Sequence, residues 1–362
     1  MHRRSGLDKY KIQKKPQLEK IVIDTGESVS AILIGARWEA VVKLLPESGV
    51  VIITDKNVFD LYHDRFPDFP VIKLKPGEES KQLKVIEKTA EKLVKAGIDR
   101  SGFILAIGGG VVSDMAGFLA SVYMRGISCG YVSTTLLSQV DASTGGKNGV
   151  NLGSIKNVIG TFVQPAFVIC DTTMLRTLPE DEYLSGLAEL IKTGIIGDKS
   201  IIGILEKEYR NVILRDRYLL ADLVTKSVKF KASVVAKDEK ESGLRRILNF
   251  GHTVGHALEL SLGIKHGFAV ASGMEIAAQF SLVKGFINAR EKDRIINLLN
   301  DYGLLRKYDV PYTGIKELIM HDKKKAGDHL YFVFTEGIGK AVVRKMPVDE
   351  IIDFVMHFET GK

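Results

Sequence analysis

The stretch Phe103–Asp114, FILAIGGGVVSD, decides the fold of this chain. Its first five residues form an apolar run typical of a buried strand, and a helical pattern follows from Met115 to Tyr123. A strand, a glycine turn and a helix N-terminus in this order suit a pyrophosphate, because small residues admit the anion and free N–H groups face it. Ser113 stands where the third glycine of GxGxxG would be, so a plain tight turn remains an alternative.

Further apolar runs on both sides predict the other strands of an open α/β sheet. These runs are Ile21–Ile23, Ala31–Gly35, Val50–Asp55, Val71–Leu74, Gly130–Val132 and Ala166–Asp171. An amphipathic helix is predicted around Val85–Ala96, with Gly97 as its left-handed cap. Polar residues that follow strands in such a sheet lie at the edge where ligands bind. We therefore expect an N-terminal nucleotide-binding α/β domain with a Rossmann-like sheet.

The pattern changes after Thr177-Leu178-Pro179, where helical periodicity replaces the strand signals up to about Leu305. We predict a flexible extension over residues 1–16, the α/β domain over 17–178 and a mainly α-helical domain over 179–362. Glu189 and Lys192 share a face of the first helix, as a functional pair or as a surface ion pair. A helix over Leu219–Lys237 carries Lys231 among apolar residues. Near the end, Leu330–Phe334 and Lys340–Val343 flank a glycine turn and predict a β-hairpin.

The bulk composition favours a globular protein that binds small anions. The chain has 362 residues, 45% hydrophobic and 26% charged, with a net charge of +7 and a pI near 9.1. No secretory signal or membrane span is recognisable, and Cys129 and Cys170 lie in apolar runs, which favours buried free thiols in the reducing cytoplasm. No dense basic block with interleaved aromatics indicates nucleic acid. The lysines instead accompany glycines, which favours a phosphate-bearing small molecule.

Two lysines illustrate that association. Lys147 ends a glycine-rich stretch that begins at Asp141, and Lys156 lies beside Asn157 in a second Gly/Ser/Asn-rich stretch. We expect both stretches to be loops. Their lysines are then either phosphate contacts or solvated charges.

A cluster of histidines provides the second candidate site. His252 and His256 are four residues apart, Arg245 and Asn249 precede them by one helical turn, and His266 follows. On a helix His252 and His256 share one face. Imidazole binds metals and moves protons near neutral pH, but two satisfied histidines on a packed helix would give the same spacing.

Several ordered motifs resemble the 3-dehydroquinate synthase family, NAD- and zinc-dependent enzymes of the shikimate pathway that make aromatic amino acid precursors. The resemblance runs from about Ile21 to the C-terminus. It rests on GGGVVSDMAGF (108–118), YMRG (123–126), STTLLSQVDASTGGK (133–147), SIKNVIG (154–160), GLAELIKTG (186–194), KASVVAKDEKESGLRRILNFGHTVGHALE (231–259) and HGFAVASGM (266–274). The resemblance implies an active site between the two domains and a phosphorylated keto-sugar acid as substrate. It also implies a homodimer.

The resemblance assigns roles residue by residue. The metal ligands, for Zn²⁺ or Co²⁺, are Glu189, His252 and His266, so the two histidines four apart are not a ligand pair. The catalytic residues are His256 as acid/base, with Lys147, Lys192 and Asn249. The substrate contacts are Arg125, Lys147, Lys192, Lys231, Arg245, Asn249, Lys323 and Lys324. The NAD contacts are Asp55, Asn57, Glu78, Lys81, Gly110, Val111, Val112, Ser113, Asp114, Thr134, Thr135, Asp141, Lys147, Lys156, Asn157 and Thr177.

Two residues depart from the family pattern, and three other functions stay open. Phe268 replaces the usual Glu after His266-Gly267, which affects the expected hydrogen bonding around His266, and Ala142 replaces a common serine. The alternatives are another sugar-phosphate cyclase, such as a deoxyinosose or valiolone synthase, a metal-dependent polyol dehydrogenase, and a basic nucleic-acid-binding protein. Such a cyclase uses a substrate without the carboxylate, and the dehydrogenase would release net NADH. The nucleic-acid-binding protein would bind DNA or RNA in a salt-dependent way.

Overall fold

A computed structural model describes residues 18–153, 155–308, 318–319, 325–326 and 328–360. The predicted flexible extension, Lys323 and Lys324 lie outside the described residues. Within them, no helix is long and apolar enough to cross a membrane. Cys129 and Cys170 are buried free thiols, as predicted.

A seven-stranded sheet forms the N-terminal half, in the order β1-β2-β9-β6-β5-β3-β4. Its strands are β1 (Glu19–Asp24), β2 (Val29–Ile34), β3 (Val50–Asp55), β4 (Val71–Leu74), β5 (Phe103–Gly108), β6 (Ser128–Ser133) and β9 (Phe167–Cys170). Edge strand β1 pairs antiparallel with β2, and every other pairing in this sheet is parallel. The predicted strands and the Rossmann-like sheet are confirmed. Parallel strands with apolar residues on both faces need cover on both sides, which the helices provide.

Three helices connect these strands: α1 (Lys56–Tyr62), α2 (Leu83–Lys95) and α3 (Gly110–Val122). Gly97 has φ +72° after α2, which confirms its predicted conformation. Gly109 is extended, and helix α3 starts at Gly110, five residues before the predicted start at Met115. Glycine, valine and serine are weak helix formers, so the sequence pattern hid this first turn.

Both lysines lie in a β-hairpin, so the prediction of loops was wrong for Lys147 and for residues 155–157, whereas residues 143–146 form no regular helix or strand. Strands β7 (Lys147–Leu152) and β8 (Ile155–Phe162) pair antiparallel, with Lys147 opposite Phe162. Gly149 lies opposite Gly160, and a Cβ on Gly160 would come within 2.5 Å of the Asn148 carbonyl oxygen. Paired glycines allow this close approach of the strands but remove the alternation of side chains that identifies a strand in sequence.

The C-terminal half is mainly helical. It contains α4 (Glu180–Ile196), α5 (Lys199–Lys207), α6 (Tyr209–Ile213), α7 (Arg217–Val235), α8 (His252–Leu262), α9 (His266–Val283), α10 (Ala289–Asp301) and α11 (Val348–Thr360). Strands β10 (Lys325–Ala326), β11 (His329–Thr335) and β12 (Ala341–Pro347) form a small antiparallel sheet, which confirms the predicted hairpin. Pro179 precedes α4, and three acidic residues in its first turn suit the helix dipole.

One large hydrophobic core runs from β1 through α3, α4 and α9 to α11, and a smaller core around Trp38 covers the other face of the sheet. Helices α8 and α9 cross very closely, because a Cβ on Gly273 would lie only 1.9 Å from the Gly251 carbonyl oxygen. His252 and His266 are the first residues of these two helices. The glycine contact therefore holds two consecutive helices close together at the site.

Candidate active site

Three side chains from different helices converge on one point. Glu189 comes from the middle of α4, and His252 and His266 come from the starts of α8 and α9. The Glu189 Oε1 atom lies 3.5 Å from His252 Nε2 and 3.3 Å from His266 Nε2. Zinc bonds of about 2.0–2.1 Å place tetrahedral ligands about 3.3 Å apart. The spacing of these three atoms therefore fits a divalent metal.

The surroundings of the three groups also fit a cation. The carboxylate of Glu189 is completely buried, and neither oxygen accepts a regular hydrogen bond among the described residues, although the Lys192 ammonium contacts it. The Nδ1 atom of His252 lies 3.1 Å from the Phe250 carbonyl oxygen. A proton on Nδ1 satisfies that carbonyl and leaves the Nε2 lone pair facing Glu189. A buried carboxylate with no regular donor is what a metal ion would satisfy.

His266 is held between two carboxylates. Its Nδ1 atom lies 3.0 Å from Glu259 Oε2, while its Nε2 atom faces Glu189. Burial lowers the pKa of His266, but the bonds to Glu189 and Glu259 outweigh burial and raise it to about 10. The replacement Phe268 is buried, with the Arg306 guanidinium 3.7 Å from its ring centre, so the partner of His266 is Glu259. The negative potential at this imidazole favours a cation.

His256 lies beside this cluster, one turn after His252 on α8. Its ring centre is 5.0 Å from that of His252 and 6.0 Å from that of His266. His256, Glu259 and His266 also approach closely enough to hold a metal. In that second group, however, the Glu259 carboxylate already binds Lys156 and the Nδ1 atom of His266. The Glu189 oxygens accept no such regular hydrogen bond among the described residues, so the group around Glu189 fits a metal better, and His256 lies next to it.

Two buried lysines line the site together with one aspartate. Lys231 from α7 donates to the Asp141 carbonyl oxygen at 2.7 Å and to its carboxylate at 2.5 Å. Burial lowers the pKa of Lys231 to about 8, against the attraction of Asp141. For Lys192, burial also lowers the pKa, but Glu189 and Asp141 outweigh it and raise the pKa. Both cations are thus desolvated, which strengthens their attraction for an anionic ligand.

A single carboxylate, Glu241, joins two of the predicted substrate residues across the two halves. It contacts the Lys147 ammonium at the start of β7 and accepts from the Asn249 amide. Burial raises the pKa of Glu241, but Lys147 and Asn249 outweigh burial and lower it. Nearby, Arg245 is buried and donates to the Gly145 carbonyl at 2.9 Å, while its Nε finds no acceptor among the described residues. Lys147, Asn249 and Arg245 therefore lie close together around Glu241.

The predicted dinucleotide residues gather at the carboxyl edge of the sheet. Those near the strand ends are Asp55 at the end of β3 and Asn57 after it, Glu78 and Lys81 after β4, Gly110–Asp114 after β5, Thr134 and Thr135 after β6, and Thr177 after β9. Lys81 links this edge to the hairpin, since its ammonium lies 2.7 Å from the Asp114 carboxylate and 2.5 Å from Asn157 Oδ1. This edge is where open α/β sheets bind their ligands. Asp55 caps α1 through Val58 N, and the Thr177 hydroxyl lies 2.5 Å from that of Tyr62.

Arg125 is not brought to this cluster within the described chain. It follows α3 with φ +70°, exposed, at the far end of a 13-residue helix from the glycine turn. Such a helix is about 20 Å long.

Glu241 and Glu259, in contrast, are part of the cluster and were missed in the sequence. Glu259 had a signal, because it lies seven residues after His252 on the same helix face. Glu241 had none.

Comparisons with known proteins cover most of the chain. Residues 71–185 match the family model described as 3-dehydroquinate synthase N-terminal, and residues 186–325 match the one described as 3-dehydroquinate synthase C-terminal. A protein named 3-dehydroquinate synthase from Thermoanaerobacter pseudethanolicus is 41% identical over 87% of this chain and 92% of its own length. One of the same name from Solibacter usitatus is 42% identical over 76% and 78%. A crystal structure of 2-deoxy-scyllo-inosose synthase with carbaglucose-6-phosphate, NAD+ and Co²⁺ matches with a TM-score of 0.84 and 26% identity, over 94% of this chain and 100% of that one.

Proposed function

The chain belongs to the 3-dehydroquinate synthase family, and on that premise we propose the residues through which it converts its substrate. The reaction takes 3-deoxy-D-arabino-heptulosonate 7-phosphate to 3-dehydroquinate and inorganic phosphate. The observation that carries the assignment of roles is the convergence of Glu189, His252 and His266 beside buried cations from both halves.

We assign the metal to Glu189, His252 and His266 and the dinucleotide to the carboxyl edge of the sheet. The related 2-deoxy-scyllo-inosose synthase, which was crystallised with NAD+ and Co²⁺, supports this choice of cofactors. When bound, NAD supplies a reversible oxidation of a ring hydroxyl, and the metal supplies Lewis acidity at the reacting oxygen.

The cations of the site fix the two anionic ends of the substrate. Lys147 and Asn249 are assigned to one anionic group, because Glu241 now contacts both and an arriving phosphate or carboxylate can replace it. Arg245 adds its positive charge near them, since it also interacts with Glu241. Lys192 and Lys231 lie deeper, next to the metal cluster and Asp141. These positions hold the reacting ring between the metal and the dinucleotide edge.

Proton transfer is assigned to the imidazole of His256. The C–H next to the oxidised ring carbon is acidic, so removal of its proton expels the phosphate. After the carbon is reduced again, the ring opens and an intramolecular aldol step closes the carbocycle. The His256 ring lies beside the rings of the proposed ligands His252 and His266, where an imidazole can hold or release a proton at a substrate oxygen next to the metal.

One assay separates this function from its alternatives. The protein is incubated with 3-deoxy-D-arabino-heptulosonate 7-phosphate, NAD and Zn²⁺ or Co²⁺ while phosphate and the absorbance of the reduced cofactor are followed. Phosphate release without accumulation of NADH is expected. Net NADH without phosphate would instead identify a polyol dehydrogenase. Phosphate from a hexose 6-phosphate lacking the carboxylate, with none from the heptulosonate, would identify another sugar-phosphate cyclase.

We further propose that the protein works in the cytoplasm as a homodimer. Two buried free thiols support a reducing compartment. Gel filtration with light scattering tests the dimer directly. A partner copy also offers a source for groups that one chain does not bring to the site, such as Arg125.

A further inference from the structure

Glu259 touches the metal cluster but has no role in the proposed reaction. It lies on α8, seven residues after His252, so both side chains project from the same helix face. Its side chain is only 12% exposed, and its two oxygens face different partners. This geometry raises the question of what the carboxylate does for the metal ligand that it contacts.

The first partner is the metal ligand His266. Glu259 Oε2 lies 3.0 Å from His266 Nδ1, on the side of the ring opposite to Nε2. A carboxylate at this position keeps the proton on Nδ1, leaves the lone pair on Nε2 and fixes the rotation of the ring. The Nε2 atom then points at Glu189 Oε1, 3.3 Å away.

The second partner is Lys156 from the β7–β8 hairpin of the other half. Its ammonium lies 2.6 Å from Glu259 Oε1. The next residue, Asn157, accepts from Lys81, which in turn binds Asp114 near the start of α3. A continuous set of polar contacts thus connects the proposed dinucleotide edge with the metal ligand.

We propose that Glu259 is a positioning residue for His266 and that Lys156 holds Glu259 in this position. The affinity for the metal then depends on a hairpin that contributes no ligand. This inference rests on the proposed metal site.

The two ways in which Lys156 can influence a metal ion have opposite signs. Acting through space, its positive charge repels the ion, so its removal would tighten metal binding. Acting through Glu259, its removal frees the carboxylate to turn away from His266 and weakens metal binding. The direction of the change therefore distinguishes them.

The test measures the Kd for Co²⁺ of the metal-free full-length protein by competition with a chelator, together with the visible spectrum of bound Co²⁺, without substrate. Glu259→Leu should weaken binding by about 10–100-fold, as expected for loss of such a partner, and change the spectrum. Lys156→Gln should weaken binding by about threefold or more. In the Glu259→Leu background it should have no further effect. Glu206→Gln, which disrupts an ion pair with Arg294 on the surface of α5, is the matched control and should bind like the parent.

The inference is overturned if Lys156→Gln binds Co²⁺ as well as or better than the parent, or if its effect is the same in both backgrounds. Lys156 is partly exposed, so its substitution should leave the fold intact, and thermal melting of the metal-free variants tests this. A parent that bound no Co²⁺ would remove the proposed metal site and this inference with it. Variants that bind like a metal-binding parent would remove the inference alone.

Discussion

Gly273→Ala should separate the two helices that carry the histidine ligands. A Cβ at position 273 would lie 1.9 Å from the Gly251 carbonyl oxygen and 2.8 Å from the Gly255 amide nitrogen. Gly251 immediately precedes His252, and its carbonyl accepts the first hydrogen bond of α8 from Gly255. An ordinary contact begins at 3.4 Å, so relief from 1.9 to 3.4 Å requires a shift of about 1.5 Å at the start of α8.

That shift is large compared with what a metal site tolerates. Metal–ligand distances are held within about 0.2 Å of their ideal values. A movement of this size at His252 relative to His266 should weaken Co²⁺ binding by about 100-fold or more. Overpacking should also lower the free energy of unfolding of the metal-free protein by about 1–3 kcal/mol. Chelator competition measures the first effect, and urea unfolding measures the second.

Gly203→Ala on α5 is the matched control. A Cβ at this position meets nothing within 4 Å, so only the higher helix propensity of alanine remains. The variant should gain about 0.5–1 kcal/mol in stability and keep the Co²⁺ affinity of the parent. If Gly273→Ala bound Co²⁺ within about threefold of the parent and were as stable as Gly203→Ala, the close helix crossing would not be what sets the ligand geometry.

Three further predictions concern the proposed reaction. Removal of the metal with a chelator should abolish turnover, and Zn²⁺ or Co²⁺ should restore it; full turnover of metal-free protein would contradict the metal site. Lys147→Ala should raise the KM for the phosphorylated substrate by about 10–100-fold, because a charged hydrogen bond contributes about 1.5–3 kcal/mol. Lys56→Ala, which breaks an exposed ion pair, serves as the control, and equal KM values for the two variants would rule out the role of Lys147. Since burial lowers the pKa of Lys231 to about 8, this cation is charged below that pH and neutral above it, so kcat/KM should fall above about pH 8. Lys231→Arg should shift this fall to higher pH, and an active variant with an unshifted profile would assign the fall to another group.

The strands and most helices could be predicted from the sequence because they depend on local patterns. The apolar runs of the main sheet, the left-handed Gly97 and the start of α4 after Pro179 were all predicted correctly. Two local features were wrong for local reasons. Weak helix formers hid the first turn of α3, and paired glycines hid the β7–β8 hairpin.

The sequence alone also supplied the residue types of the site, and the resemblance supplied their roles, which remain predictions. The spacing of His252 and His256 by itself left a metal or catalytic role and two packed histidines open, because periodicity can only relate residues within one helix. Glu189 lies on α4, far along the chain from the two histidines, which begin separate helices, so no local pattern could join all three.

Only the tertiary structure decided how these groups meet. The close crossing at Gly273 sets the distance between the ligands, and it depends on contacts between helices that the sequence does not display. The same is true of Glu241 and Glu259, whose partners come from the hairpin and from separate segments. Hydrogen bonds require placement within a few tenths of an ångström, and that placement arises only when the sheet and the helices pack into one core.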